Sequence, residues 1–196
     1  MNFNAEEINE LMRARRSVYP KDYTGAVVPE YIINQMLENA NWAPTHKFTE
    51  PWRFTVFSGG GLTKLAAFQS ECYKQVTEAN GTFQQDRYVA LQTKPLESSH
   101  IIAIGMKRDA ANRLPEWEEL GAVFCAVQNM YLTATAYNVG CYLSTGGITN
   151  FEAARSFFGL GSNDKLCGFL HVGVPKDTLP PGKRKPVADK VTWVNA

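Results

Sequence analysis

Apolar residues recur along this chain at two spacings, and the alternation between them marks out its elements. Asn4 can cap a first helix with Glu7 three residues on, and Ile8, Leu11 and Met12 supply its apolar stripe. Pro29 is placed to open a second helix carrying Ile33, Met36, Leu37 and Ala40 on one face. Trp52 to Phe57 alternates as a strand, and a helical segment follows from Leu62 to about Thr77. Ile101 to Met106 is apolar without a break, which implies a strand covered on both faces. The longest helical pattern starts near Pro115 and ends at Asn138-Val139-Gly140. Between Ala122 and Ala136 it is apolar almost all round, so it predicts a central core position together with a subunit interface. A strand from Cys141 breaks at Gly146-Gly147, a short helix carries Phe151, Ala154 and Phe158, and a last strand runs from Leu166 to Val174 before Pro175.

Between the second helix and the first strand lies Trp42-Ala-Pro-Thr-His-Lys-Phe-Thr-Glu-Pro-Trp-Arg-Phe54. Pro44 and Pro51 disfavour helix at the residues before them, so the helix ends and a strand can begin. Thr45, His46 and Lys47 are thereby displayed on a loop suited to a polar ligand. Arg15-Arg16-Ser17, at the end of the first helix, favours the negative end of the helix dipole and also matches phosphate oxygens. Glu116, Glu118 and Glu119 suit the positive end of the long helix better than acid-base chemistry. Ser58-Gly59-Gly60-Gly61 lacks the spacing of either a P-loop or a dinucleotide fingerprint and reads as a turn. The paired glycines after Leu143-Ser144-Thr145 permit close backbone approach to a flat ligand. Residues 79–99 are polar and form either a candidate lid or a surface excursion. Lys183-Arg184-Lys185 is a basic stretch near the C-terminus.

Composition narrows the partners. The chain of 196 residues fits one domain, and its net charge of +1 argues against nucleic acid. No run approaches the roughly 20 apolar residues that span a bilayer, and Asn2, Asn4, Glu6 and Glu7 do not resemble a signal sequence, so a cytoplasmic protein without a membrane partner is expected. Cys72, Cys125, Cys141 and Cys167 are scattered, as are His46, His100 and His171, so free thiols and no metal site are expected.

Taken in order, Arg15-Arg16-Ser17, Ala43-Pro44-Thr45-His46-Lys47 with Pro51-Trp52-Arg53-Phe54, the long apolar helix, Leu143-Ser144-Thr145-Gly146, Gly168-Phe169-Leu170-His171-Val172-Gly173 and Arg184-Lys185-Pro186 with Val191-Thr192-Trp193 resemble the FMN-dependent nitroreductases, most closely their short-chain branch. The resemblance covers nearly the whole chain. It implies a single α+β domain over residues 1–196 with a central, mainly antiparallel sheet flanked by helices, in an interlocked homodimer holding two FMN at its interface. Residues 176–196 would extend to the partner subunit. By the same likeness Arg15, Arg16 and Ser17 would hold the phosphate and pyrimidine side of FMN, while Trp42, Pro44, Thr45 and His46 would stand in the loop arriving from the other subunit. Leu143, Ser144, Thr145 and Gly146 would line the ring, and Arg184 or Lys185 would assist at the phosphate. Tyr19 stands where some members carry a lysine, which leaves Arg16 or Lys21 as nearby cations.

Such a protein needs no side-chain nucleophile, because flavin N5 carries hydride and a cation or amide near N1 stabilises the reduced form. The resemblance therefore implies ping-pong reduction of nitroaromatics, quinones or activated alkenes, with NADH or NADPH as donor and a small molecule as electron acceptor. The alternatives are a non-catalytic FMN-binding or storage protein, a reductive dehalogenase or flavin-breakdown enzyme of the same fold, and a phosphate-binding domain built on Ser58 to Gly61.

Overall fold

In the computed structural model, which describes residues 3–195, Asn4 does cap the first helix, α1 (Ala5–Ala14), its side-chain oxygen accepting from the Glu6 and Glu7 amides at 3.0 and 3.4 Å. A 3₁₀ turn at Pro20–Asp22 leads to α2 (Glu30–Asn41), with Pro29 one position earlier than expected, as the cap. Strand β1 (Trp52–Ser58) is followed by α3 (Gly60–Ala79). This helix starts two residues before the expected Leu62, because Gly59 takes the positive φ of 49° needed for the turn and leaves Gly60 and Gly61 inside the first turn. The polar stretch over 79–99 carries a further helix, α4 (Gln85–Thr93), with a 3₁₀ turn after it. It lies on α3 through Phe83, Tyr88 and Leu91, and Tyr73 Oη accepts from the Gln84 amide at 3.1 Å.

Strand β2 (His100–Met106) is buried along its whole length, as its unbroken apolar run requires. Helix α5 (Glu116–Ala136), strand β3 (Gly140–Ser144), the short helix α6 (Glu152–Arg155) and strand β4 (Lys165–Gly173) complete the fold. The four strands form one antiparallel sheet in the order β1-β2-β4-β3. Helices α2 and α5 cover one face through Met36, Val123, Met130, Ile102 and Leu170, while α3 and α6 cover the other through Leu65, Tyr73, Ile101 and Phe169. The fold is therefore α+β with helices on both sides of an antiparallel sheet.

Two details of α5 position the site. Its C-terminus closes as a Schellman motif: Asn138 at φ 56° takes the left-handed position, Val139 N–H donates to Ala134 at 2.8 Å and Asn138 N–H to Thr135 at 3.1 Å. The next residue, Gly140, can then enter β3 where a Cβ would come within 3.0 Å of Val18. At the other end Glu119 lies in the first turn, as expected for the positive end of the helix, and has a further role. It is fully buried, paired to Arg108 and accepting from the Asp109 amide at 2.9 Å, so it ties the end of β2 to the first turn of α5. The helix is also less enclosed than its composition suggests. One face, with Gly121, Phe124, Cys125 and Gln128, lies open to solvent. None of α1 is buried, and Met12 is 56% exposed.

Candidate functional site

Strand β3 lies at one edge of the sheet, and the chain leaving α1 runs beside it. Ser17 forms a parallel bridge with Cys141, and Val18 N–H donates to the Cys141 carbonyl at 2.9 Å. This contact sets Ser17, in a short extended link that also carries Arg15, against Cys141, two residues before Leu143 in the same edge strand. Tyr131 of α5 fastens the group together. Its hydroxyl accepts from the Leu143 amide at 2.7 Å, and the Arg15 guanidinium stands 5.3 Å from its ring centroid. Burial is the main cause of its raised pKa, so the phenol stays protonated and keeps a donor directed at this group. Tyr131 is a site residue that sequence reasoning missed. The available signal was a phenol inside an otherwise apolar helix, since a buried hydroxyl needs a partner.

The two arginines are held differently. Arg15 is half-buried and, among the described residues, has no carboxylate within ion-pair distance. Arg16 turns back to cap α1, donating to the carbonyls of Arg13 and Arg15, the latter at 2.7 Å, and its Nε donates to Pro180 at 3.2 Å. It anchors the C-terminal stretch, whose Arg184 and Lys185 are exposed; the Arg184 side chain donates to the neighbouring Lys183 carbonyl at 2.8 Å.

After Ser144 the strand opens into a turn. Thr149 Oγ1 donates to the Thr145 and Gly146 carbonyls at 2.7 and 3.1 Å, which fixes the turn from within. Gly168 on the neighbouring strand is required here, because a Cβ would sit 2.8 Å from the Ser144 carbonyl oxygen and 3.0 Å from Leu143 Cδ1. On the other face of β3, the Tyr142 ring is 4.6 Å from that of Tyr19 and 6.0 Å from that of His171. Burial pushes His171 down to about 4, so it is neutral at pH 7, and its Nδ1 lies 3.0 Å from Ser98 Oγ.

The Trp42 loop is built as a rigid display. Trp42 ends α2 with 78% of its surface exposed and donates to Glu38 at 3.2 Å, while Trp52 beneath it is buried and donates to Asn41 at 3.0 Å. Pro44 is exposed, and Thr45 Oγ1 accepts from the Glu50 amide at 3.1 Å, closing the loop on itself. Lys47, Phe48 and Glu50 all adopt positive φ, which costs about 1 kcal/mol or more each and survives only where surrounding contacts enforce it. His46 Nδ1 is 2.7 Å from Glu118 Oε2, at the start of α5. Within one chain the structure therefore does not bring His46 to Arg15. Their contacts on α5, Glu118 and Tyr131, are about 20 Å apart along the helix axis at about 1.5 Å per residue.

The remaining candidates are placed as follows. Ser58 to Gly61 forms the turn into α3, with open space around Gly59 and Gly60. All four cysteines are free thiols, and Cys125 alone is exposed, on the open face of α5. Among the described residues there is no group of three His, Cys, Asp or Glu able to hold a metal ion, and no helix long and apolar enough to cross a membrane.

Known proteins place this architecture. A family model described as the nitroreductase family matches residues 12–174. The chain is 28% identical over 190 residues to a Bacillus subtilis protein named "Putative NAD(P)H nitroreductase YfhC", covering 94% of this chain and 93% of that protein. It is 30% identical over 145 residues to "Putative NAD(P)H nitroreductase YdjA" of Escherichia coli, covering 74% of this chain and 76% of the relative. Among solved structures, the FMN-dependent nitroreductase NfnB from Mycobacterium smegmatis in complex with NADPH shares the fold with a TM-score of 0.74 at 19% identity, over 97% of this chain and 99% of that one. The match spans both the Arg15-Ser17 link and the edge strand it pairs with, and on these findings the chain belongs to the nitroreductase family.

Proposed function

We propose that this protein is an FMN-dependent NAD(P)H oxidoreductase, acting as a homodimer on nitroaromatics, quinones or activated alkenes. The observation that carries the reading is the division of the candidate residues into two half-sites at opposite ends of α5, with an open apolar face between them. One half holds Arg15, Ser17, Tyr131 and Leu143 to Gly146; the other holds Trp42, Thr45 and His46. A second copy laid against α1 and the exposed face of α5 would bury Met12 and Phe124 and bring the second half-site up to the first. Arg184 and Lys185, on the exposed C-terminal stretch, stand as further phosphate partners.

The residues present suit FMN. Among the described residues Arg15 is a guanidinium without a carboxylate partner, matched to a phosphate. Ser17 adds a hydroxyl, and the Gly146 turn allows a flat ring to approach backbone amides. When bound, FMN supplies the redox chemistry, taking hydride from NADH or NADPH and delivering it to an electron-poor acceptor. Arg15 would bind and orient the phosphate, Tyr131 would hold Leu143 and its strand in place, and Trp42 would exclude water from one side of the site. YfhC and YdjA carry names in the NAD(P)H nitroreductase class, and NfnB is FMN-dependent and was solved with NADPH.

The test is the visible spectrum of the purified protein, followed by heat release and chromatography of the cofactor, and stopped-flow mixing with NADH and NADPH. FMN at about one per subunit, bleached rapidly by either donor, is the expected result. A protein that takes up no FMN would overturn the reading, and one that binds FMN without bleaching would reduce it to a storage or sensing role.

A further inference from the structure

Two of the clefts in the described surface differ in how their charge is matched. The larger, about 330 Å³, is lined by Arg108, Arg155 and Lys165. Each of these already has a carboxylate: Arg108 pairs with Glu119, Arg155 with Glu152 at 3.6 Å and Lys165 with Glu116 at 3.1 Å. Its charges are matched internally, so it offers little to a ligand. The second cleft, about 290 Å³, lies between the C-terminal half of α3, the start of α4 and the 3₁₀ turn at Gly147–Asn150, and its charge is not matched.

Arg87 is the one ionisable cation lining this second cleft, and no carboxylate lines it. Among the described residues Arg87 donates no hydrogen bond and pairs with no acid. Its guanidinium lies 6.0 Å from the Tyr73 ring centroid, and its Nη2 would be 3.9 Å from a Cβ built on Gly147. The fork thus stands, exposed, near an aromatic face and the Gly147 backbone. The buried Tyr73 hydroxyl accepts from the Gln84 amide at 3.1 Å and has its own proton still to donate. The amide side chains of Gln84 and Asn150 add donors, and Phe151 adds an apolar wall. A single planar guanidinium, neutral donors and aromatic walls match one planar carboxylate on an apolar body better than a phosphate dianion, which draws several cations.

We propose that this cleft is a binding subsite for a small aromatic carboxylate, held by Arg87. Gly147 is adjacent in sequence to Gly146, and Thr149 from the same 3₁₀ turn holds the Thr145 and Gly146 carbonyls. The cleft therefore opens beside the turn assigned to the flavin. Resting on that assignment, the acceptors favoured by the enzyme are acidic aromatics, whose carboxylate docks here and whose electron-poor part lies towards the Leu143–Gly146 edge.

The test measures equilibrium binding of benzoate to the full chain by calorimetry, with and without FMN, for the wild type, Arg87→Gln and Arg87→Lys. Benzamide serves as the uncharged isostere. Benzoate should bind the wild type in both states and lose about tenfold in affinity in Arg87→Gln, with a smaller loss in Arg87→Lys and no change for benzamide. Arg87 is exposed, pairs with no acid among the described residues and approaches the Tyr73 ring only at 6.0 Å, so both variants should fold and lose at most about 2 °C in melting temperature. Wild-type protein that binds no benzoate at millimolar concentration, or an Arg87→Gln variant that binds it unchanged, overturns the proposal. Because Arg15 could also attract benzoate in the flavin-free protein, the cleft is read from the difference between wild type and Arg87→Gln and from benzoate binding that persists with FMN present. Failure of the flavin assignment would leave that difference intact, and failure of the cleft would leave FMN uptake intact. In turnover, 4-nitrobenzoate should show a raised KM in Arg87→Gln at unchanged kcat, while 4-nitrobenzamide shows neither change.

Discussion

Replacing Arg15 and Arg16 separately by alanine distinguishes a ligand-binding cation from a structural one. Arg15 contacts the Tyr131 ring at 5.3 Å and no acid among the described residues, so its removal loses one partly exposed cation–π contact, about 0.5–1 kcal/mol. In a chain of this size that corresponds to a fall in Tm of about 1–4 °C. A charge-assisted bond to phosphate contributes about 1.5–3 kcal/mol, and because Arg15 is only half-buried the lower end applies, a loss of about tenfold in FMN affinity. Arg16 reverses the balance. Its guanidinium is committed to the Arg13, Arg15 and Pro180 carbonyls, so Arg16→Ala should lose a C-terminal cap and the anchor of the C-terminal stretch, lowering Tm further than Arg15→Ala. Its effect on FMN should be the smaller of the two. The assay is titration of flavin-free protein by quenching of flavin fluorescence, repeated with riboflavin, which lacks the phosphate. Arg15→Ala should weaken FMN and leave riboflavin unchanged, and the difference should shrink as salt is raised. Equal losses for both flavins, or wild-type FMN affinity in Arg15→Ala, would refute the assignment of Arg15 to the phosphate.

Gly168→Ala would put a methyl group 2.8 Å from the Ser144 carbonyl oxygen, and a backbone atom in a paired strand yields poorly; overpacking of about 1–3 kcal/mol and looser FMN retention are expected, with calorimetry and flavin release as the readouts. His171 is held down at about 4 by burial, whereas in the unfolded chain it titrates near 6.5, so the unfolded state binds more protons between those values. Its contribution to stability is complete above pH 6.5 and is lost as pH falls towards 4, by up to about 3 kcal/mol. His100 shifts in the same direction through burial. Urea midpoints at pH 7 and pH 4.5 should differ less in His171→Gln than in the wild type, and an equal difference would remove His171 as a cause.

Local chemistry was enough to read most of the elements and half of the candidate site. Asn4 caps because its oxygen reaches the amides of its own helix, β2 is apolar from Ile101 to Met106 because a strand paired on both sides in a sheet covered on both faces has no wet position, and the prolines at 44 and 51 limit the loop between α2 and β1. These outcomes depend on neighbours within a few residues or on burial alone, and both leave a periodic trace in sequence. The strand order depends on segments tens of residues apart, and the pairing of Ser17 with Cys141 on groups more than a hundred apart, and such meetings leave no periodic trace. Only the tertiary structure could therefore show Tyr131 joining Arg15 to Leu143, Glu119 buried against Arg108, and Arg87 brought near Tyr73 by a helix in a stretch that composition left open between a lid and a surface excursion. The same limit explains the two arginines. Adjacent in sequence and alike in charge, they differ because α1 and the Pro180 carbonyl engage one guanidinium and leave the other beside an aromatic ring at the sheet edge.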